Sequence, residues 1–183
     1  MTNNDPNRKA FCFRIPGNPV AKGRPKAGRF TTKTGQSVAV FRTPKKTENY
    51  TALVQQMFAS QIGDHMPWEG PIRIEITAVF QMPKTREKQR ATLTKRFEKM
   101  TEDKPSGWIL KNEAALSIAG EIGLLKYPTG RPDWDNLGKI ISDALNGIAW
   151  RDDSQIVDAS VKKFYTDPDE APRVTVYAEK VKA

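Results

Sequence analysis

The amino-acid sequence predicts an α+β fold, a single small domain in which a mixed or antiparallel sheet is covered by packed helices. Two observations carry this prediction. Alternating apolar residues predict strands at residues 9–15 and 71–82, and two further strands at residues 156–165 and 173–179. Apolar residues at helical spacing predict a long helix between the first two strands and a short helix before the last two. This order of elements is typical of α+β proteins.

Residues that interrupt regular structure set the limits of these elements. The first strand ends at Pro16, and the stretch PGNPVAKGRPKAGR that begins there is predicted to be a basic loop, followed by a short strand, SVAVF. Thr43 and Pro44 predict the cap and first position of a helix that runs to about Ile62. Residues 84–130 begin with a charged helical piece, and the length of this connection indicates a functional or mobile segment.

Composition narrows the chemistry that is open to the chain. Its 183 residues suffice for a core without disulfides or structural metal. One cysteine and one histidine leave almost nothing for thiolate or histidine-rich metal sites, so any chemistry must use carboxylates, lysines or hydroxyls. The first residues lack the regions of a secretory signal and no long apolar run follows, so we expect a cytoplasmic protein.

Positive charge is concentrated in two parts of the chain. The sequence has 30 Lys and Arg against 21 Asp and Glu, a net charge of +9. Residues 1–50 contain 11 basic and 2 acidic side chains, and residues 84–104 contain 8 basic and 4 acidic ones. Such stretches favour a polyanionic partner, because Lys and Arg neutralise phosphates and release counterions. A solvated surface without a partner is the interpretation that charge alone leaves equally open.

Negative charge is concentrated elsewhere, since six of the 21 Asp and Glu residues lie in residues 131–158. This segment reads RPDWDNLGKIISDALNGIAWRDDSQIVD. Apolar spacing predicts a short amphipathic helix in this segment that ends at the Asn-Gly turn. Asp135 lies at the start of the helix, where a carboxylate can cap free amides. Pro132 favours an extended backbone in the lead-in, the residues just before this helix. Residues two apart in an extended segment point the same way, so Asp133 and Asp135 would direct two carboxylates to one point.

A second acidic pair, Asp152 and Asp153, follows the helix. If the strand that starts at Ile156 lies beside the lead-in, one of these acids arrives next to Asp133 and Asp135, and only a cation relieves the crowding of like charges. Oxygen ligands without His or Cys suit Mg²⁺ or Mn²⁺. The first pair alone is better explained by a helix cap than by a metal site, but two pairs in a basic chain favour a metal-dependent phosphodiester site.

Other residues of the segment have structural interpretations. Lys139 is expected on the polar face of the helix, with Asp143 as its ion-pair partner one turn later. Asp158 is expected at a solvent-facing strand position. Trp134 and Trp150 are expected to pack in the core or at its edge rather than to stack on bases.

The motifs D-x-D-N-L-x-K, D-A-L-N-G and W-x-D-D-x-Q-I-V in residues 131–163 together resemble the signature of the RusA family of Holliday junction resolvases. The early I-P-x-N-P and K-G-R-P motifs and FQMP are similar to phage members of that family. The resemblance implies a RusA-like α+β homodimer of a bacterial or phage-infected cell. It also implies Mg²⁺-dependent endonuclease activity, with Mn²⁺ as a possible substitute, that resolves four-way junctions by paired nicks in DNA recombination and repair.

The resemblance also assigns roles to individual residues. Asp133, Asp135 and Asp153 match the three catalytic, metal-binding aspartates, and Lys139 matches the lysine that assists cleavage by stabilising charge on the phosphate. Asp152 matches the neighbouring acid, whose role is secondary. The candidates for DNA binding are basic residues of the early loop and the lead-in: Lys22, Arg24, Lys26 and Arg131.

The chain is predicted to form one domain over residues 1–183, with an insertion at residues 84–130 relative to the shortest family members. That insertion is compatible with a rival function, a broader nuclease that acts on forks or flaps. Two further rivals are a junction-binding protein without catalysis and a basic RNA-binding protein. The acidic cluster argues against both of these, because phosphate binding is better served without negative charge.

Overall fold

A computed structural model describes residues 8–181 of the chain. The elements in chain order are β1 (Ala10–Pro16), β2 (Lys26–Thr31), β3 (Ser37–Arg42), α1 (Lys45–Ile62), β4 (Ile72–Phe80), α2 (Lys84–Thr101), α3 (Ser106–Ile109), α4 (Glu113–Leu124), α5 (Trp134–Leu145), a 3₁₀ turn (Asp153–Gln155), β5 (Ile156–Tyr165) and β6 (Arg173–Lys180). The predicted strands and the predicted helices before β4 and β5 are thus confirmed to within a few residues.

Four strands form one mixed sheet in the order β1-β6-β4-β5. Strand β6 is antiparallel to both β1 and β4, whereas β5 is parallel to β4. The α+β class with a mixed sheet is therefore confirmed. Strand β5 lies at one edge of this sheet, and within residues 8–181 no further strand pairs with its outer side.

Helices α1 and α5 cover one face of the sheet and form the hydrophobic core with it. Alternate residues of three strands point into this layer: Phe11, Phe13, Ile15, Ile72, Ile74, Ile76, Ala78, Val174, Val176 and Ala178. Helix α5 contributes Leu137, Ile140, Ile141, Ala144 and Leu145. Because one whole side of α5 is buried, the position of its first turn is held by core packing.

Strands β2 and β3 form a separate antiparallel hairpin. The prediction of a basic loop was wrong for residues 26–29, which belong to β2. Pairing with β3, from Lys26 opposite Arg42 to Thr31 opposite Ser37, supplies the hydrogen bonds that the local sequence did not reveal. Every residue of β2 is exposed, and in β3 only Val40 is half-buried.

Residues 84–130 fold mainly into helices and pack beside one end of the sheet. The charged piece is helical as predicted, and α2 buries none of its residues, whereas α4 buries Ala115 and Ile118. The segment is joined to the sheet by a hydrogen bond from the Tyr165 amide to the Lys126 carbonyl oxygen, 2.8 Å long. Whether this segment is an insertion relative to shorter proteins stays a prediction.

None of the helices in residues 8–181 combines the length and the apolar character needed to cross a membrane.

Candidate active site

The first turn of α5 carries the first acidic pair. Asp133 is the residue before the helix, with an extended backbone (φ −69°, ψ 147°), and it makes no side-chain capping hydrogen bond. Asp135 is the acidic residue of the first turn. The extended lead-in thus reaches only as far as Asp133, and both carboxylates lie at the positive end of the helix dipole.

Asp135 is paired with Lys139 one turn along α5, with 3.0 Å between the Lys139 Nζ and Asp135 Oδ2 atoms. The hydrogen bond from Lys139 is the largest cause that lowers the pKa of Asp135 below its usual value. The Lys139 and Asp135 side chains are 59% and 39% exposed, so this pair faces solvent. The arrangement keeps a carboxylate ionised beside an accessible ammonium group.

The expected ion pair between Asp143 and Lys139 was wrong. Asp143 pairs instead with Lys22 of the loop before β2. The Lys22 amide also donates to the Asn136 carbonyl oxygen at 3.0 Å, so this loop runs along α5 and brings its lysine to Asp143. Asp135 and Asp143 each lie four residues from Lys139, so helical spacing alone could not predict which of them pairs with it. Because Lys22 pairs with Asp143, Lys139 pairs with Asp135.

A cleft of about 620 Å³ lies between this loop, α1 and the lead-in to α5. Four basic residues line it beside Asp133: Lys22, Arg24, Lys46 and Arg131. Three of the four predicted DNA-binding residues are therefore near the first acidic pair, while Lys26 lies on the hairpin. Lys46 was missed, because the TPKK stretch was interpreted only as a helix start.

Gly23 explains how the basic loop can lie against α1. Its amide donates to the Thr47 Oγ1 atom at 3.1 Å. A Cβ atom at this position would lie 2.9 Å from both Pro44 Cγ and Thr47 Oγ1, closer than such contacts are found. The glycine between Lys22 and Arg24 thus permits the close approach that forms one wall of the cleft.

Asp152 and Asp153 have different surroundings. Asp152 caps the 3₁₀ turn: its Oδ1 atom accepts from the Ser154 amide at 2.9 Å, and its own amide donates to Gln155 Oε1 at 3.0 Å. Hydrogen bonds from the Ser154 side chain and amide lower the pKa of Asp152. Asp153 follows as the first residue of the turn and is half-buried. Because the Asp152 carboxylate already caps the 3₁₀ turn, Asp153 is the better candidate for the functional acid.

The prediction that Asp153 joins the first acidic pair was wrong for a single chain. Strand β5 does lie beside α5, but the two run in opposite directions. The far end of the strand reaches the lead-in, where Lys163 Nζ donates to the carbonyl oxygens of Gly130 and Pro132 at 3.1 and 3.0 Å. At the start of the strand, Gln155 Nε2 donates to the Trp68 carbonyl oxygen at 3.0 Å.

The length of β5 indicates how far Asp153 lies from Asp133 and Asp135. From Ile156 to Lys163 the strand extends over about 23 Å, so Asp153 lies at the opposite end of α5 from Asp133. Within residues 8–181 no group of three or more Asp, Glu, His or Cys side chains is placed to hold a metal ion. One chain therefore supplies Asp133 and Asp135 in one place and Asp153 in another.

The two tryptophans of the segment also differ. Trp150 is fully buried, and its Nε1 atom donates to Asn146 Oδ1 at 3.0 Å, as expected for core packing. Trp134 is 62% exposed between the two aspartates, so the core interpretation was wrong for it. Position 134 has the helical spacing of Leu137 and Ile141, but it is the first residue of α5, so the periodic pattern alone did not predict its exposure.

The comparisons with known proteins cover nearly the whole chain. The family model described as "Endodeoxyribonuclease RusA" matches residues 16–179. A Bacillus subtilis (strain 168) protein, "Uncharacterized protein YqaN", is 34% identical over 174 residues, which are 93% of this chain and 96% of that protein. The matched residues include the cleft, α5, the 3₁₀ turn and the hairpin.

Proposed function

This chain belongs to the RusA endodeoxyribonuclease family, and from that membership we propose a Mg²⁺-dependent enzyme that resolves four-way DNA junctions by paired, symmetric nicks in DNA recombination and repair. The observation that carries the proposal is the first turn of α5. There Asp133, Asp135 and Lys139 stand beside a cleft with four basic side chains. Basic residues hold a phosphate backbone, and carboxylates at the same place require a further positive charge.

The residues present fit a hard divalent cation. Asp133 and Asp135 offer carboxylate oxygens at the end of a rigid helix, without His or Cys nearby, which suits Mg²⁺ or Mn²⁺ better than Zn²⁺. Asp133 makes no capping bond to α5 that would compete for its oxygens. When bound, such an ion polarises the phosphodiester and lowers the pKa of its bound water.

The chain's own side chains then perform the remaining tasks. Arg24, Lys46 and Arg131 line the cleft and orient the DNA backbone. Lys139 offers its ammonium group to the negative charge that develops on the phosphate during hydrolysis. The hydrogen bond from Lys139 lowers the pKa of Asp135 and so favours the ionised form that a metal ligand needs.

A second copy of the chain completes the site in this proposal. A twofold axis beside the free edge of β5 would reverse the direction of the second strand. Asp153 of the second copy would then lie at the end of β5 where Lys163 holds the lead-in to Asp133. The homodimer thereby acquires two equal sites, the number that two symmetric nicks require.

The catalytic part is tested with the purified protein and a labelled synthetic four-way junction beside a matching linear duplex, each with Mg²⁺ or with chelator. Asp135→Asn is compared with Asp64→Asn, the same chemical change at an exposed position outside the site. We expect paired nicks near the crossover that need both Mg²⁺ and Asp135. Binding without cleavage under every condition would make the protein a junction-binding module, and cleavage of forks or flaps at the same rate would broaden its substrate class.

The shared site is tested by mixing two inactive variants, Asp135→Asn and Asp153→Asn. If Asp153 acts across the dimer, a mixed dimer contains one site with both aspartates intact, and the mixture regains single nicks. If both aspartates act within one chain, every site in the mixture lacks one of them and no nicking returns. Asp152→Asn serves as the neighbouring control and should keep most of the activity.

A further inference from the structure

The β2–β3 hairpin is an element with no core face. All of β2 is exposed, and β3 has one half-buried residue, Val40. A two-stranded ribbon of this kind is marginal in isolation. Its conformation therefore points to an outside surface that it contacts.

The charge around the hairpin is of one sign. Residues 17–47 contain eight Lys and Arg side chains and no Asp or Glu. The basic surface is continuous with the cleft, because Lys46 lines the cleft while Lys45 and Arg42 line a groove of about 440 Å³ along the hairpin. A polyanion that occupies the cleft therefore also meets the hairpin.

Two aromatic rings stand out among these charges. Phe30 is 59% exposed and Phe41 is 71% exposed. Phe30 lies opposite Val38, and Phe41 lies opposite Ala27. Because directly opposed residues share a face and successive residues alternate, the two rings lie on opposite faces of the ribbon.

Each face of the hairpin thus combines an aromatic ring with cations. Lys26 and Arg42 form a pair on the face of Phe30, and Arg29 shares the face of Phe41. Basic residues that follow a backbone, together with rings on which bases stack, are the means by which proteins hold unpaired or unstacked bases. A continuous duplex offers no such base face without unstacking, whereas the crossover of a branched DNA does.

From this arrangement we propose that the hairpin enters the branch point of the DNA, with Phe30 and Phe41 stacked on the terminal bases of two different arms. This inference rests on the proposed function and adds to it the element that selects branched over linear DNA. The cleft and α5 then contact the phosphate backbone beside the crossover. A second copy of the chain is the competing occupant of the same rings.

The test uses a four-way junction with 2-aminopurine at the crossover and a second junction with the probe in the middle of an arm. Binding is measured with chelator present, so that no cleavage occurs. The proteins are the wild type, Phe30→Ala, Phe41→Ala, the double variant, and Leu110→Ala as an exposed apolar control outside the hairpin, where Leu110 is 75% exposed.

We expect the wild type and Leu110→Ala to change the emission of the crossover probe and to leave the arm probe unchanged. Each phenylalanine variant should lose roughly tenfold in affinity for the junction and little for the duplex, and the double variant should lose the crossover signal. An unchanged signal and an unchanged preference in the double variant would overturn the inference. So would loss of self-association in the double variant, since the rings would then contact a second copy.

The outcome separates this inference from the proposed function. If the phenylalanine variants bind and nick junctions as the wild type does, with the same preference over duplex, the hairpin inference fails and the nuclease proposal stands. If no protein nicks any DNA with Mg²⁺, the nuclease proposal fails, while the probe measurement in chelator still decides what the hairpin contacts.

Discussion

Helix α5 and the β2–β3 hairpin both carry residues that we propose to contact DNA, but they are held in place in different ways. Helix α5 buries five apolar residues against the sheet and α1. The hairpin buries none and is held by its own ladder and by its attachment to the main domain. Reacting groups need fixed positions, and a helix packed from behind provides them.

The hairpin offers a different advantage. With no core contacts to lose, it can adjust to a DNA surface at small cost in folding free energy. Substitutions on α5 and on the hairpin should therefore separate chemistry from recognition. Two predictions test this division, and two smaller effects are expected at the 3₁₀ turn and at His65.

The largest effect is expected for Lys139→Met on α5. Loss of the ammonium group should slow cleavage by about 10²–10³-fold at saturating enzyme, because charge on the phosphate loses its partner. Junction binding should change little. The pKa of Asp135 should also rise, since the hydrogen bond from Lys139 is the main cause of its lowered value. Single-turnover cleavage and an NMR titration measure the two effects.

Lys95→Met, on helix α2, is the matched control for that prediction. It removes the same charge from an exposed position in residues 84–130. An equal loss of cleavage in both variants would show that Lys139 acts only through the overall charge of the protein.

The second prediction compares how substitutions in α5 and in the hairpin change the free energy of unfolding. Ile141→Ala leaves a cavity beneath α5, where the side chain is 1% exposed, and should lower the free energy of unfolding by about 2–5 kcal/mol. Val38→Ala removes apolar atoms from the exposed hairpin and should change it by less than about 0.5 kcal/mol. Denaturant unfolding measures both. Similar losses in the two variants would contradict the view that the hairpin has no core.

A smaller effect is expected at the 3₁₀ turn. Asp152→Ala removes the acceptor for the Ser154 amide and should lower the melting temperature slightly. Asp153→Ala should leave stability nearly unchanged while cleavage is lost. Thermal unfolding and nicking assays on both variants check this assignment. Reversed results would exchange the structural and functional roles of the two acids.

The last prediction concerns pH and the helix-covered side of the sheet. Burial is the largest cause that lowers the pKa of His65, whose ring packs among Phe11, Phe58 and Trp68. The positive charges of Arg8 and Lys180 lower it further, against a hydrogen bond to the Ala149 carbonyl oxygen.

Because the folded pKa of His65 lies below the unfolded value of about 6.5, neutral His65 stabilises the fold above that pH. This contribution is lost as the pH falls through the lowered folded value. The melting temperature should therefore decrease on acidification in the wild type and less so in His65→Phe. An equal decrease in both would assign the effect to the carboxylates.

Local patterns were sufficient for much of the fold and for half of the site. The alternation of β4 and the apolar stripe of α5 each depend on neighbours in sequence, because a pleated strand and a helix repeat at fixed periods. The same stripe placed Asp135 and Lys139 on one exposed face, and the structure joins them at 3.0 Å. Strand β2 was missed because its pairing with β3 depends on a partner rather than on its own pattern.

What the sequence by itself determined is therefore local: α5, its acidic first turn, the basic stretches and the motifs of the family. Only the tertiary structure decided which of these lie together. It brought Lys22 to Asp143, carried Arg24 and Lys46 to Asp133, and placed Asp153 at the far end of α5. The physical reason is that strand order and direction follow from burial shared by distant segments, and no short window of sequence contains both partners.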